Sequence, residues 1–434
     1  MWLKTHWKMQ EESRNIPEEV DHLYRREYGK LVAVLTKTFG VNNIELAEDV
    51  VQEAMLEALR QWAYTGVPEN AMGWIYKVAK YKAVNLVNRE KYKRAYTSKV
   101  VHHLQSEWTL EPALDHIFTD REIADDQLRM MFTCCHPSVS KDSQVALTLK
   151  TLCGFSIPEI AKAFLTTNEN INKRLVRARK SIQAANIPFE VPTGKDLEPR
   201  LASIMEVIYL LFNEGYHASS GQEAIRYELC EEAIRLAEMV ASNPNIVNTS
   251  QISALLALMS FNVSRFASRT DTFGNLVDLE HQDRDKWDQA LIQKGLRYLS
   301  FAAQHDQVSL YHILATISAH HCTAKDFGST NWEGILSLYD NLVLLDDSPI
   351  VQLNRAVVLA KTANAREALM AIEGINDITA LQSYMPYYTV RAELHFQIGE
   401  VKKASELLKK ALGLSPNEKA KSDILDKLKK IDDL

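Results

Sequence analysis

Apolar residues recur at i, i+3, i+4 and i+7 along almost the entire chain, while alternation at a period of two is hard to find. That pattern admits helices and little else. Glycine and proline are sparse, 15 and 12 in 434 residues, so few breaks interrupt it. The expected fold class is all-α. A chain of this length exceeds what one hydrophobic core usually serves, and about two or three domains are expected. With 46% hydrophobic and 24% charged residues, the composition is that of a soluble globular protein. The opening Met1-Trp2-Leu3-Lys4 lacks the apolar core of a signal peptide, and no apolar run reaches the length of a membrane span. The expectation is a cytoplasmic protein with no membrane partner. Five irregularly spaced cysteines suit reduced thiols better than a disulfide framework.

The net charge of −6 argues against a surface that coats nucleic acid throughout, but the charge is unevenly spread. Residues 73–99 carry eight Lys/Arg against one Glu. Residues 107–126 carry seven acids against one Arg. Residues 167–185 carry five Lys/Arg against Glu169 alone. Two basic helices separated by an acidic segment place the function in the first half of the chain.

The organisation follows from these shifts. A first helical domain is expected over 17–94, with helices over 18–39, 44–62 and 71–94. An acidic linker with short helical pieces covers 95–126. A second domain covers 127–186. The stretch from Ile187 to Gly194 holds two prolines and a glycine and marks a boundary. From 195 to 434 the chain is helical again and shows a repeat. Tyr388, Ala392, Gly399, Ala404, Leu408, Ala411 and Pro416 follow the spacing of a tetratricopeptide unit. Ala356, Ala363, Ala368 and Ile372 echo it, Ala368 lying 36 residues before Ala404, near the usual ~34. A weaker unit covers 331–347.

Two segments carry chemistry. Ser156-Ile-Pro-Glu159 reads as a capping box with proline in the first turn, so a helix should begin at Ile157. Thr166-Thr-Asn-Glu169 offers a second box, and the next helix should run from Asn168 to Ala185. Ile171, Leu175 and Ala178 form its buried stripe, and Ile160, Ala161, Phe164 and Leu165 close the turn before it. This is a helix-turn-helix. The outer face presents Thr167, Asn168, Asn172, Lys173, Arg177 and Lys180, flanked by Arg174 and Arg179. Asn and Arg can read base edges in a major groove while the other cations hold phosphates. A solvated amphipathic helix in an unrelated bundle is the plainer reading.

The first domain has a different signature. Ala47-Glu-Asp-Val-Val-Gln-Glu-Ala54 lies on an acidic helix. After it, Gly73 to Glu90 form a basic helix interleaved with Trp74, Tyr76 and Tyr81. Aromatics beside cations suit the unstacked bases of a single strand. Trp74 and Tyr76 at helical spacing suit a core equally well.

Taken together, these segments resemble the sigma factors of bacterial RNA polymerase, specifically the extracytoplasmic-function group of the sigma-70 family. Glu48-Asp-Val-Val-Gln-Glu53 resembles the segment that grips the clamp helices of the largest polymerase subunit, which implies core-polymerase contacts at Glu48, Asp49, Gln52 and Glu53. Gly73-Trp-Ile-Tyr-Lys-Val-Ala-Lys80 and the run after it resemble the segment that melts and reads the −10 element. The resemblance assigns −10 contacts to Trp74, Lys77, Lys80, Tyr81, Lys82, Asn85, Asn88 and Arg89. Phe155 to Arg179 resemble the region that reads the −35 element, with contacts at Thr167, Asn168, Asn172, Lys173, Arg174, Arg177, Arg179 and Lys180. Tyr81, Asn85 and Asn88 depart from the usual −10 pattern. Asp125 to Pro137, Phe212-Asn-Glu-Gly-Tyr216 and Leu353-Asn-Arg-Ala-Val357 resemble the subgroup with a C-terminal tetratricopeptide-like domain. In that subgroup the extension is a built-in control element. Implied partners are core polymerase, through clamp helices and flap, promoter DNA, and a protein or small ligand of the repeats.

Other clusters carry weaker signals. Cys134-Cys135-His136, with Cys153, lacks a second ligand pair at zinc spacing and reads as small buried hydrophobes before a turn. His320-His321-Cys322, with His312, reads as ordinary helix. Asn213, Glu214 and Tyr216 surround Gly215 in an apolar helix, a candidate ligand or interdomain contact or else a kinked packing site. No phosphate loop, nucleophile elbow or metal-spaced His pair is present, so no enzyme activity, metal or cofactor is expected. The competing class is a one-component helix-turn-helix regulator that senses a ligand or protein through its repeats. The acidic helix at 48–53 has no task in that reading.

Overall fold

The structure is a computed structural model that describes residues 16–97, 120–163, 166–192, 197–216, 225–243, 246, 249–272, 276–304, 308–376, 378–415 and 418–432. Its described residues are almost entirely helical and contain one isolated β-bridge, Thr270 to Leu276. Among the described residues no helix is long and apolar enough to cross a membrane. The chain divides into two compact units, Met1–Gly215 with Tyr227–Asn245, and Tyr216–Arg226 with Ile246–Leu434.

In the first unit, α1 (Ile16–Phe39), α2 (Ile44–Thr65) and α3 (Ala71–Thr97) are followed by α4 (Asp120–Cys134), α5 (Lys141–Thr151), α6 (Ile157–Ala163) and α7 (Asn168–Ala185). α8 (Leu197–Tyr216) and α9 (Tyr227–Ala241) complete it, Tyr216 itself belonging to the second unit. α1 is the hub, packing against α2, α3, α4, α5 and α9. Its apolar run Leu31 to Leu35 is fully buried. Glycines at positive φ, Gly40 (87°) and Gly66 (75°), stop α1 and α2 where a side chain would be strained. Gly29 does something different. A Cβ there would sit 1.7 Å from the carbonyl oxygen of Leu152, so α1 touches the backbone beyond α5 at a distance open to glycine alone.

The acidic linker ends earlier than its composition suggests. α4 begins at Asp120, ahead of Gln127, and Asp126 is fully buried, paired with Lys37 at 3.1 Å and with Arg129. The acids hid a helical pattern whose apolar members, Ile123 and Leu128, face inward. All five cysteines are buried thiols outside any disulfide. Cys134 and Cys135 lie against the hydroxyls of Thr151 (3.7 Å) and Thr148 (4.0 Å), and burial pushes the Cys134 thiol up to about 12.

The second unit holds α10 (Ser250–Val263), the short α11 (Phe266–Arg269), α12 (Gln289–Ala302), α13 (Leu310–Thr323), α14 (Trp332–Leu345) and α15 (Pro349–Thr362). α16 (Ala365–Glu373), α17 (Met385–Gln397), α18 (Val401–Gly413) and α19 (Glu418–Asp432) follow. From α12 onward each helix packs on the next. Of the alanines in the repeat spacing, Ala356, Ala368, Ala392, Ala404 and Ala411 are buried in these seams, whereas Ala363 is exposed. Gly399 turns the chain between α17 and α18 at φ 84°. Pro416 lies outside the described residues.

Candidate nucleic-acid interface

The turn that positions α7 is built from local chemistry. At Ser156 the backbone N–H donates to Glu159 (2.8 Å), whose own N–H points back at the Ser156 hydroxyl (3.4 Å), the reciprocal capping pair. Gly154, at φ 68°, makes the bend before it. α7 spans Asn168–Ala185, and its cap is Thr167, whose hydroxyl accepts from the Asn170 N–H at 3.2 Å. The second capping box expected at Thr166 and Glu169 does not form: Thr166 accepts from the Asn170 amide, and Glu169 pairs with Lys173 at 2.7 Å. Asn186 closes the helix in the left-handed conformation at φ 48°. Ile171, Leu175, Ala178 and Ile182 are buried against α5 and α6. Phe164 and Leu165 lie outside the described residues.

With that stripe inward, Asn168, Asn172, Lys173, Arg177 and Lys180 are exposed on the opposite face. The two flanking arginines are engaged. Arg174 pairs with Asp142 at 3.2 Å. Arg179 donates to Glu45 at 2.8 Å and to Glu48 at 2.7 Å, both on α2. Thr167 commits its hydroxyl to the cap. Lys173 is paired with Glu169, and Asn172, Arg177 and Lys180 stand exposed toward a groove.

The acidic helix divides in the same way. Asp49 and Glu53 are exposed and Gln52 is half-buried, on a shared face of α2. Glu48 points inward, 4% exposed. Burial raises its carboxyl, and the Arg179 charge pulls it partway back. The structure therefore separates Glu48 from the three acidic-helix residues with which the sequence grouped it. Charged residues are seldom buried unless paired, and nothing in the local spacing announces a partner so far along the chain.

On α3, Trp74 rests edge-on against the buried Trp62, ring centres 5.4 Å apart. Tyr76 donates its hydroxyl to Glu27 at 3.1 Å. These two aromatics serve the core, whereas Tyr81 is 69% exposed. Lys77 and Asn85 are exposed, Lys80 is half-buried, and Lys82 pairs with Glu53 at 3.0 Å. α3 continues through Asn88 and Arg89, whose side chains lie outside the described residues. A cavity of about 450 Å³ opens at the start of α3, lined by Gly73, Tyr76, Asn70 and Met72 with Glu27 and Arg235.

Several organising residues gave no sequence signal. Glu27, 1% exposed, collects Arg26 (2.9 Å), Lys30 (3.0 Å) and Tyr76. Arg25 reaches Glu159 at 3.0 Å, joining α1 to the turn before α7. Around the candidate contact at 213–216, α8 runs through Gly215 and ends at Tyr216. Glu214 is buried, Asn213 is half-buried, and Tyr216 stacks on Phe266 at 5.9 Å. No group of three metal-ligating side chains assembles among the described residues.

Comparison with known proteins gives three family matches. Residues 23–92 match the model for Sigma-70 region 2, residues 129–182 that for Sigma-70, region 4, and residues 200–303 a family of unknown function. An uncharacterized protein of Rhizobium meliloti (strain 1021) is 34% identical over 375 residues, 86% of this chain and 87% of that protein. No solved structure matches the chain.

Proposed function

Because the chain belongs to the sigma-70 family, we propose that it is a promoter-specificity subunit of bacterial RNA polymerase of the extracytoplasmic-function kind. In this reading the region from 17 to 94 docks on core polymerase and handles the −10 element, and the region from 127 to 186 reads the −35 element. The exposed face of α7 carries the reading: Asn172, Lys173, Arg177 and Lys180 stand outward on a capped second helix whose apolar stripe is buried. The exposed acids Asp49 and Glu53, with Gln52, supply the complementary surface for the polymerase clamp helices. Tyr81, Lys77 and Asn85 form the exposed strip of α3 that meets the opened strand. The segment 195–434, whose α8 and α9 belong to the first unit and whose repeat-spaced helices belong to the second, is a tetratricopeptide-like extension that regulates the module, with a protein or small ligand as its partner.

The test is transcription in vitro with core polymerase and a library of genomic promoters. The expected result is initiation at a small set of sites sharing −35 and −10 elements. Failure to bind core polymerase, or initiation no more selective than core enzyme alone, would overturn the proposal.

A further inference from the structure

In the second unit the buried guanidinium of Arg265 has neutral hydrogen-bond partners in place of a carboxylate. Arg265, just after α10, is 8% exposed. One terminal amino group donates to the Tyr216 hydroxyl at 2.9 Å and to the Asn262 amide oxygen at 2.5 Å, both neutral acceptors. Its Nε is shielded from solvent and meets no acceptor. Arg284 spends Nη1 on the backbone carbonyls of His321 (2.6 Å) and Ala324 (2.8 Å), and its Nη2 is likewise shielded without an acceptor. Among the described residues no carboxylate forms an ion pair with either guanidinium, although Arg284, half-buried, feels the charge of the nearby Asp326.

The surroundings register this excess. His321 is held neutral, its pKa lowered to about 4 by burial and then by the charges of Arg265 and Arg284. Its Nδ1 is also buried without a partner. Cys322, beside it, feels the same two guanidinium charges. On the other side of Arg265, Arg269 is 4% exposed and lies 3.2 Å from the centre of the Tyr216 ring. Tyr216 thus receives one arginine at its hydroxyl and a second on its face, and Phe266 stacks on it. Aromatic faces hold guanidinium groups in place without neutralising them.

A buried charge with neutral partners alone is costly, and a counter-charge arriving from outside would relieve that cost. Guanidinium groups offer paired N–H donors that match the oxygens of carboxylates and phosphates. We propose that the second unit binds a small oxyanion, a carboxylate or a phosphate group, at Arg265 and Arg284, with Tyr216 and Arg269 fixing the geometry of the site. This inference stands independently of the promoter reading, since it rests on residues remote in sequence from the DNA-facing helices. It gives Tyr216 a task that the helix-turn-helix does not.

The test uses the full chain and three probes: inorganic phosphate, succinate, and chloride at matched ionic strength. Ligand that binds the folded state raises the melting temperature in a saturable way. The expected result is such a rise with phosphate, with succinate or with both, and none with chloride. A phosphate-specific rise assigns a phosphorylated ligand, and a succinate-specific rise assigns a carboxylate. Calorimetric titration of Arg265→Gln and of Arg284→Gln should show affinity at least tenfold weaker, while Arg366→Gln, an exposed arginine of the same unit, should leave it unchanged. If Arg265→Gln fails to fold, Arg284→Gln decides. The proposal is overturned if neither phosphate nor succinate binds the wild-type chain beyond chloride, or if the folded variants bind as tightly as wild type.

Discussion

Arg179, on the helix proposed to meet promoter DNA, is bonded to Glu48, on the helix proposed to meet polymerase, at 2.7 Å, with Glu45 sharing the same guanidinium at 2.8 Å. A single arginine thus joins two surfaces whose proposed partners differ. Glu48 is nearly inaccessible, so the bond lies at the edge of the core. Removing one member of such a pair leaves a buried charge with fewer partners. Arg179→Ala should cost about 3–5 kcal/mol at neutral pH. Adding Glu48→Gln should recover part of that loss, because the uncompensated carboxylate goes with it. Urea midpoints of the two single variants and the double variant measure this, and strictly additive losses would contradict the coupling.

The same geometry bears on DNA. The N–H groups that Arg179 gives to Glu45 and Glu48 cannot at the same time bond a phosphate. Glu45→Gln with Glu48→Gln should free the guanidinium and tighten binding to −35 duplex several-fold, with a steeper loss of affinity as salt rises. Fluorescence anisotropy at two salt concentrations reads both effects. Unchanged affinity and salt slope in the folded variant would mean that Arg179 faces no phosphate.

Among the exposed side chains of α7, Arg177 and Lys180 should behave differently. Arg177→Ala should cost roughly 1–3 kcal/mol and relax preference at one base position, while Lys180→Ala should weaken all sequences alike and lower the salt dependence by about one unit. A selection from randomised −35 duplexes separates these outcomes. Equal, non-selective losses would show that Arg177 also contacts the backbone.

Acid should expose the turn before α7. Burial alone would raise the Glu159 carboxyl, but the Arg25 charge and the hydrogen bonds from Ser156 outweigh it and bring its pKa from 4.5 to about 2. The folded value lies below the unfolded one, so the unfolded chain takes up the proton first as pH falls. The stabilisation is complete above the unfolded pKa of 4.5 and drains away as pH drops toward 2. Allowing for the solvent that Glu159 still meets, about 1–2 kcal/mol is at stake. Unfolding midpoints of wild type and Glu159→Gln should converge across that window. Curves that stay parallel would show that the Arg25 pair carries none of the acid sensitivity.

The parts of this architecture that were legible in the sequence are those set by neighbours a few residues apart. Both ends of α7 could be read because a capping threonine and a basic amphipathic run are local signals. The capping box at Ser156 was legible for the same reason, while at the second site the cap falls on Thr167 and no box forms, since Thr166 and Thr167 are adjacent and chemically identical. The helical start at Asp120 was masked by acids that composition assigns to solvent, although Asp126 is buried against Lys37. Exposed side chains such as Asn172 and Arg177 fell on the expected face, because the buried stripe fixes the opposite one. What remained hidden is long-range. Arg179 and Glu48 are 131 residues apart, and no periodicity within either helix foretells that they meet. The arginines around Tyr216 are equally silent in the sequence, being separated from it by 49 residues at Arg265.

The buried thiols turn the chain into its own stopwatch. Alkylating reagents attack the thiolate, which Cys134, shielded and shifted to about 12, scarcely forms while the protein stays folded. Labelling therefore waits on opening, and its rate under native conditions measures how often the structure opens. Four of the five cysteines belong to the first unit, and Cys322 belongs to the second. One mass-spectrometric time course, resolved by peptide, would thus time the breathing of each unit separately, without an introduced probe.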